Sequence, residues 1–523
     1  MSDLLIIASS VYAQGIPDAQ ALIISNGTVA WIGDRDTALS LTSDVDHVVD
    51  AGDSFIAPGF VDAHVHLSAT GMYLKTDVSH ARSYADLADV INHRDTRYAV
   101  TFGHGWDDTH WQDTLLDFTH ALDRTKIGQL YLTRVDVHGA IVLHPSVNNG
   151  EPVILTGKEH ETYRGIFLEQ ISPEQRRDYI RIALEAASAQ GIVSVHENGG
   201  PVVSSADDFR DTLTLGRQAQ FPEVIGYWGD GNISQAQALG AAGAGGDYSV
   251  DGSLGSRTAR LSEPYSDVPN HLGNSYLDET KITEHIVACT NAGIQAGFHV
   301  IGDQAVSRVS SAFARAAQQL SSQKLRSCRH RLEHVEMPSS HDLETFAQHG
   351  VVLSVKPVFD ELWGTSGGMY EQRVGKPRSE QMNPFAQMLN TGIVLAFGSD
   401  TPVTPMNPWR AIRAAINHNE KSSRISARAA FVAHTRGGWR AARRDSEGML
   451  AVGAPAHLAI WDANEFLVDV PDDRHVQWST DDRSGVPLLP DVRSELPRCV
   501  ATIRNGEPIY DPHALFATLP ESR

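Results

Sequence analysis

Short apolar segments alternate with helical ones over most of the chain, from about residue 56 to residue 440. Strands that alternate with helices form a parallel sheet, because each helix carries the chain back to the start of the next strand. Eight such units predict a closed (β/α)8 TIM barrel, an α/β fold. The predicted barrel strands are "GFVDAHVH", "LYLTRVDVH", "GIVSVHENGG", "GDYSVDGS", "AGFHVIGD", "HRLEHVE", "GVVLSVKP" and "IVLAFGSD". The region near 100–160 is longer than one strand–helix unit needs, so we expect an insertion there.

Both ends of the chain, residues 1–55 and 441–523, are rich in short β-type segments. Asn26-Gly27 and Asn505-Gly506 each lie between two such segments, which is a strong signal for a β-hairpin. We therefore expect the two ends to assemble one small β-sandwich domain beside a barrel of residues 56–440.

Composition and charge limit the classes of partner and compartment. A formal net charge of −21 argues against a nucleic-acid or anionic-membrane partner. The three cysteines are far apart and form no CxxC pair, which fits a reducing cytoplasm. The early segment "LLIIASSVYAQ" lacks a basic start and predicts a strand rather than a signal peptide. No apolar run reaches the roughly 20 residues of a membrane span. We expect a soluble cytoplasmic protein that acts on a small molecule.

Five polar residues stand at the ends of four predicted apolar strands. The alternation in "FVDAHVHL" puts His64 and His66 on one face of their strand, and the others are His299, His334 and Asp400. The carboxyl ends of barrel strands meet at one face, where such side chains converge. Each residue alone could be a core histidine or a helix cap, but together they are costly to bury without a shared partner. They predict a metal site.

Imidazoles and a carboxylate suit a borderline divalent ion such as zinc, although iron and manganese accept the same donors. An ion with an open coordination position lowers the pKa of a bound water from 15.7 to about 7. A carboxylate beside that water can carry its proton to a leaving group, and Asp400 is the candidate.

Several segments resemble the amidohydrolase superfamily, in particular its amidohydrolase-3 branch of YtcJ-like proteins and N-substituted formamide deformylases. The segments are "IAPGFVDAHVHL", "GHGWDDTHW", "VDGSLGSRTA", "FHVIGDQAV", "HRLEHVE" and "FGSDTPVTPMNPW". The resemblance implies that His64, His66 and Asp400 bind one metal, with Asp400 as the proton shuttle. It implies that His299 and His334 bind a second metal or, in one-metal members, that one is a ligand and the other polarises the substrate carbonyl. A homodimer is a common assembly of such proteins.

The chain departs from this family at two positions. Binuclear members bridge their metals with a carboxylated lysine at the end of strand 4, where this chain has Asp247. Because an aspartate is shorter by several bonds, we expect one ion rather than two, with Asp247 as the alternative bridge. Lys356 ends strand 7, where the family more often has glutamine; we expect its side chain to reach solvent, and the barrel mouth is the alternative. His196, in the predicted third strand, is expected to support the ligands or to contact substrate.

Candidates for the substrate pocket lie between predicted strands 1 and 3: Trp106, Asp107, Arg134, Asp136 and His138. Alternation puts the last three on one face of their strand. A structural cluster of ion pairs is the alternative reading of the same residues.

The predicted function is hydrolysis of a C–N bond in an amide, formamide or carbamate-like small molecule by a metal-activated water. One alternative is a ring aminohydrolase, or deaminase. Those enzymes commonly carry a glutamate just after the strand-5 histidine, whereas here Asp303 follows His299. The other alternative is a catalytically inactive barrel used as a binding scaffold. The missing lysine favours it, and the presence of all five polar residues opposes it.

Overall fold

The structure is a computed structural model that describes residues 3–94, 98–134, 139–201, 203–463 and 487–517. The chain divides into two compact units, one of Met1–His66 with Glu185–Arg523 and one of Leu67–Leu184. Among the described residues, no helix is long and apolar enough to cross a membrane.

The first unit contains an eight-stranded parallel sheet whose strands follow one another in chain order, and the predicted TIM barrel is thereby confirmed. Its strands β1 to β8 are Phe60–Val65, Ile192–Gly199, Glu223–Trp228, Gly243–Ala244, Gln295–Val300, Arg331–His334, Val352–Val355 and Val394–Phe397.

The two edges of this sheet meet just beyond the ends of β8 and β1. The His66 N–H donates to the Thr401 carbonyl at 3.0 Å, and the Asp400 N–H donates to the His64 carbonyl at 2.8 Å. Gly398 allows this approach, since a Cβ there would lie 2.7 Å from the His64 nitrogen. The contact holds the ends of the first and last strands side by side.

Helices connect the strands, and several begin at a side chain that accepts a backbone N–H of the first turn, as Ser205, Asp278 and Ser339 do. The α-helices of this unit are Arg35–Ser40, Ala206–Leu215, Ile233–Leu239, Glu279–Ala292, Asp303–Ala316, Ser322–Cys328, Ser340–His349, Pro357–Trp363, Met369–Val374, Lys376–Ser379, Phe385–Asn390, Pro408–Ile416, Ala427–His434 and Arg436–Ala441.

Two further sheets of the same unit pack over a common apolar core, which confirms the predicted β-sandwich from both ends of the chain. Leu22 and Ile24 come from one sheet, and Ile460 and Ile503 come from the other. The strands of the first sheet are Leu4–Ile7, Ala21–Ser25, Thr28–Gly33 and His47–Asp50. Those of the second sheet are Ser10–Val11, Phe55–Pro58, Leu458–Asp462, Arg498–Arg504 and Glu507–Tyr510.

Both predicted hairpin turns are present in this sandwich. Asn26 and Gly27 have φ of 50° and 76°, and Asn505 and Gly506 have φ of 50° and 81°. Two successive left-handed residues are the geometry that Asn-Gly turns adopt between antiparallel strands.

The second unit is built on a separate four-stranded sheet of Val100–Trp106, Gln129–Arg134, Gly139–Leu143 and Val153–Thr156. Its helices are Leu67–Lys75, Tyr84–Asn92, Leu115–Ala121, Gly157–Glu169 and the start of Pro173–Ser188. The region 100–160, where the sequence predicts an insertion, lies within this unit.

The predicted assignment of barrel strands 2 to 4 is wrong. "LYLTRVDVH" contributes Gln129–Arg134 to the separate sheet, so "GIVSVHENGG" is β2, and β3 is a segment that was not predicted. Strand β4 has only two residues, and the predicted "GDYSVDGS" follows it, where Ser249 bridges His299 of β5. Apolar alternation identifies a strand, but it does not tell which sheet the strand joins.

Candidate metal centre

Four donor atoms converge where β1, β4 and β8 end. The Nε2 atom of His64 lies 3.2 Å from Asp400 Oδ1 and 3.4 Å from Asp247 Oδ2. The Nε2 atom of His66 lies 3.1 Å and 3.3 Å from the same two oxygens. The structure therefore brings together three of the predicted ligands and Asp247, the predicted alternative bridge.

Hydrogen bonds fix the orientation of both histidines. The His64 Nδ1 is 2.8 Å from Glu333 Oε2, and the His66 Nδ1 is 3.0 Å from the Asn198 carbonyl oxygen. Because a carbonyl or a carboxylate can only accept, each Nδ1 must carry the hydrogen, and each neutral ring then turns the lone pair of Nε2 toward the two aspartates. Lone pairs facing carboxylate oxygens repel one another unless a cation lies between them.

The pKa values of the histidines and aspartates also show that the centre needs positive charge beside its two carboxylates. Burial and Lys356 act to lower the pKa of His64, but the carboxylates of Asp247 and Asp400 raise it well above its usual value. The pKa of His66 is raised by the same carboxylates against the opposing effect of burial. Burial would raise the pKa of both aspartates, yet the adjacent histidines hold each below its usual range. Without a metal, protons on the histidines supply the missing positive charge.

The spacing between each histidine and each aspartate is close to that of two ligands on one ion. Ligands placed tetrahedrally at about 2.0–2.1 Å from zinc lie about 3.3–3.4 Å from one another. The four histidine–aspartate separations are 3.1–3.4 Å. In addition, His64 Nε2 and Asp247 Oδ1 are buried and have no hydrogen-bond partner among the described residues. The donor atoms of His64, His66 and Asp247 lie within 4.8 Å of one another, and so do those of His64, His334 and Asp400, so each group could hold a divalent ion.

His299 and His334 lie beside this group. Their ring centroids are 4.5 Å apart, and the His334 ring is 5.3 Å from that of His64. Burial, reinforced by His299 and Lys356, holds the pKa of His334 well below its usual value, so its imidazole is neutral. The Nδ1 atoms of His299 and His334 have no hydrogen-bond partner among the described residues. Both rings can bind a ligand atom or a substrate oxygen.

The expectation that Lys356 reaches solvent is wrong, because its side chain is buried beneath the ligands. Its Nζ donates to the Ser354 carbonyl at 3.1 Å and lies 3.6 Å from Glu333 Oε2. Arg331 donates to the other oxygen of Glu333 from Nε at 2.6 Å. Two cations thus hold the carboxylate that orients His64, which offsets the cost of burying it.

His196 lies in β2 and supports this network. Arg331 Nη1 donates to His196 Nδ1 at 3.0 Å, and the pKa of His196 is held well below its usual value by burial and by Arg331. The sequence analysis did not single out Asn198, Arg331 or Glu333. The alternation in "HRLEH" contained a signal for two of them, because Arg331 and Glu333 are charged residues that share one face of a buried strand.

The predicted pocket residues belong to the second unit, where three of them form a cluster of their own. Arg134 Nη2 lies 2.8 Å from Asp107 Oδ1, and the guanidinium is 5.8 Å from the Trp106 ring centroid. The Trp106 Nε1 donates to the Leu132 carbonyl at 2.8 Å. These contacts match the structural alternative, and a substrate role for the three residues stays a prediction. Asp136 and His138 lie outside the described residues.

The known proteins that this chain resembles include a putative amidohydrolase and a metal-dependent hydrolase. A family model described as "Amidohydrolase family" matches residues 47–510. Protein LONG AFTER FAR-RED 3 of Arabidopsis thaliana is 25% identical over 90% of this chain and 89% of its own length. Putative amidohydrolase YtcJ of Bacillus subtilis (strain 168) is 24% identical over 79% and 84%. The crystal structure of an uncharacterized metal-dependent hydrolase from Pyrococcus furiosus superposes with a TM-score of 0.71 and 26% identity, covering 88% of this chain and 99% of that one.

Proposed function

Because this chain belongs to the amidohydrolase family, we propose that it is a metal-dependent hydrolase that cleaves a C–N bond of an amide, formamide or carbamate-like small molecule. The observation that carries the proposal is the convergence of two histidine Nε2 atoms on two carboxylate oxygens at 3.1–3.4 Å. The two carboxylates need positive charge beside them, which protons on the histidines supply in the metal-free protein and an ion would supply when bound, and the group lies where barrel enzymes carry their active sites.

We assign one ion to the centre, with His64, His66, Asp247 and Asp400 as its ligands. Zinc suits this donor set and spacing, and iron or manganese could occupy the same site. When bound, the ion supplies Lewis acidity, which activates water and polarises a substrate carbonyl. His299 and His334 remain available to the substrate under this assignment, instead of being held by a second ion.

The roles of the protein groups follow from their charge states. Asp400 is ionised, because the adjacent histidines hold its pKa well below its usual range, so it can accept a proton from the attacking water. It then delivers that proton to the departing amine. His334 is neutral and lies next to His64, where it can donate a hydrogen bond to the carbonyl oxygen as negative charge develops on it.

The deaminase alternative receives no support from the residue that follows the strand-5 histidine. Asp303 accepts a hydrogen bond from the Ser262 N–H at 3.0 Å and another from the Ser262 hydroxyl. Asp303 is the first residue of the helix Asp303–Ala316, and its carboxylate is occupied by Ser262, whereas a deaminase needs a free acid beside the ring that it attacks. The scaffold alternative explains neither the matched orientation of the two histidines nor the buried cations beneath them.

A hydrolysis screen tests the proposal. The zinc-loaded protein is offered N-substituted formamides, simple amides, carbamates, esters and aminopyrimidines, and released amine, alcohol and ammonia are measured separately. We expect amine release from a member of the first three classes and its loss in Asp400→Asn. Ammonia from the ring compounds alone would favour a deaminase, and no turnover of any class would favour the scaffold.

A further inference from the structure

A recessed cavity lies at the amino ends of strands β7 and β8, at the end of the barrel away from the candidate metal centre. Its volume is about 240 Å³, and Val352 and Val394, the first residues of these two strands, are among its lining residues. Three arginines line the same cavity: Arg326, Arg329 and Arg440. The cavity is thus lined by cations in a chain whose formal net charge is −21.

A groove beside this cavity shares Arg326 and Arg329 with it and adds a fourth arginine, Arg443. Among the described residues, one carboxylate pairs with this group: Asp445 binds Arg329 and lies 3.7 Å from Arg440 Nε. Four guanidinium groups against one carboxylate leave three positive charges that no ion pair of the described chain offsets. The cavity and the groove together are called the basic cavity below.

Backbone carbonyls at helix ends hold two of these arginines in place. Arg326 Nη1 donates to the Ala347 carbonyl, and Arg443 Nη1 donates to the Gly293 carbonyl, both at 3.1 Å. Each carbonyl lies at or next to the carboxyl end of a helix, so the two side chains are helix caps. Capping uses one nitrogen of a guanidinium that carries five N–H groups. The Nε and Nη2 groups of both side chains have no hydrogen-bond partner within the described part of the chain.

We propose that the basic cavity binds a phosphate group, either as free phosphate or on a small molecule. The planar fork of an arginine binds two phosphate oxygens side by side, and several forks around one cavity suit a group with more than two acceptor oxygens. A phosphate dianion offsets two of the three surplus charges, whereas a carboxylate offsets one. Because helix ends already hold the side chains, binding orders few further atoms. The proposal is independent of the hydrolase function.

Calorimetry with inorganic phosphate at constant ionic strength tests the proposal. The variant is Arg326→Gln with Arg443→Gln, and the matched control is Arg210→Gln with Arg498→Gln. Each control arginine is exposed and paired with one surface aspartate, so both double variants lose the same charge. We expect one phosphate to bind to the wild type and to the control, and to bind about tenfold more weakly, or less, to the variant. No binding to the wild type would overturn the proposal, and so would equal affinity in all three proteins, because the phosphate would then lie elsewhere.

Asp445→Asn gives a second test that leaves both helix caps in place. It removes the one negative charge of the group, so we expect phosphate to bind about fivefold more tightly. A purely structural role of the arginines predicts no such gain, and unchanged or weaker binding would overturn the proposal. Glycerol 3-phosphate, titrated into the same proteins, distinguishes the two sources of the group. Tighter binding than that of inorganic phosphate supports a phosphorylated small molecule, and weaker binding supports free phosphate.

Discussion

The metal affinity of the centre should depend steeply on pH. In the metal-free protein, Asp247 and Asp400 raise the pKa of both His64 and His66 above the usual value, against the effect of burial. A metal binds only unprotonated imidazoles, so each histidine must lose its proton when the ion enters. Affinity must therefore rise as the pH rises through these raised pKa values.

The size of the effect follows from the number of protons displaced. Loss of two protons changes the apparent dissociation constant by up to about a hundredfold per pH unit, or about 2.7 kcal/mol, below both pKa values. The stability of the metal-free protein changes in the opposite direction. The raised pKa values of the two histidines stabilise the metal-free fold, and this contribution is complete below the unfolded-state histidine pKa of about 6.5. The contribution is lost as the pH rises through the folded-state pKa values. The gap in melting temperature between loaded and metal-free protein should widen over that window.

Competition with a zinc-binding dye across the range from about pH 6 upward measures this dependence. The matched variant is Asp247→Asn, which removes one of the two carboxylates that raise the histidine pKa values. We expect a shallower slope for the variant. A dissociation constant that is independent of pH in the wild type would refute the reasoning, because the histidines would then be neutral before the metal binds.

Three further substitutions test separate parts of the centre. Asp400→Asn should lower kcat by about 10²–10⁴-fold, as measured by amine release, since the proton shuttle is lost; an unchanged kcat would exclude that role. Glu333→Gln should weaken zinc binding by about 10–100-fold in the dye titration, because His64 loses its anchor. The matched control is Glu361→Gln, which breaks an ion pair between Glu361 and Arg410, both partly exposed, and should leave zinc binding unchanged. Gly398→Ala should destabilise the protein and reduce its zinc content, because the added Cβ would meet the His64 backbone at 2.7 Å; normal zinc content and melting temperature would contradict the close approach of β8 to β1.

Much of the barrel could be predicted because its signals are local. Period-two alternation identifies His64 and His66 on one face, and Asn-Gly pairs identify hairpins from two residues each. Sheet membership is a long-range property, and for this reason Gln129–Arg134 was assigned to the wrong sheet. The two-residue strand Gly243–Ala244 has no detectable period at all.

The sequence predicts the types of residue that could bind the metal better than it predicts the residues that orient them. The sequence suggests Asp247 as an alternative bridge between two metal ions. Its approach to both histidines, however, depends on the turn at Gly245 and Gly246, whose φ values are 142° and 86°. Asn198 contributes a backbone carbonyl, which any residue could supply, so no side-chain pattern identifies it. Lys356 looked like a surface lysine because its partner Glu333 lies on the neighbouring strand, more than twenty residues away in the sequence.

The most direct test of the account is the metal content per chain, measured by elemental analysis on protein from zinc-supplemented culture. The account predicts one zinc per chain, held by His64, His66, Asp247 and Asp400. Two ions per chain would contradict the single centre and would make Asp247 a bridge to His299 and His334. Protein that holds no metal would contradict the hydrolase itself.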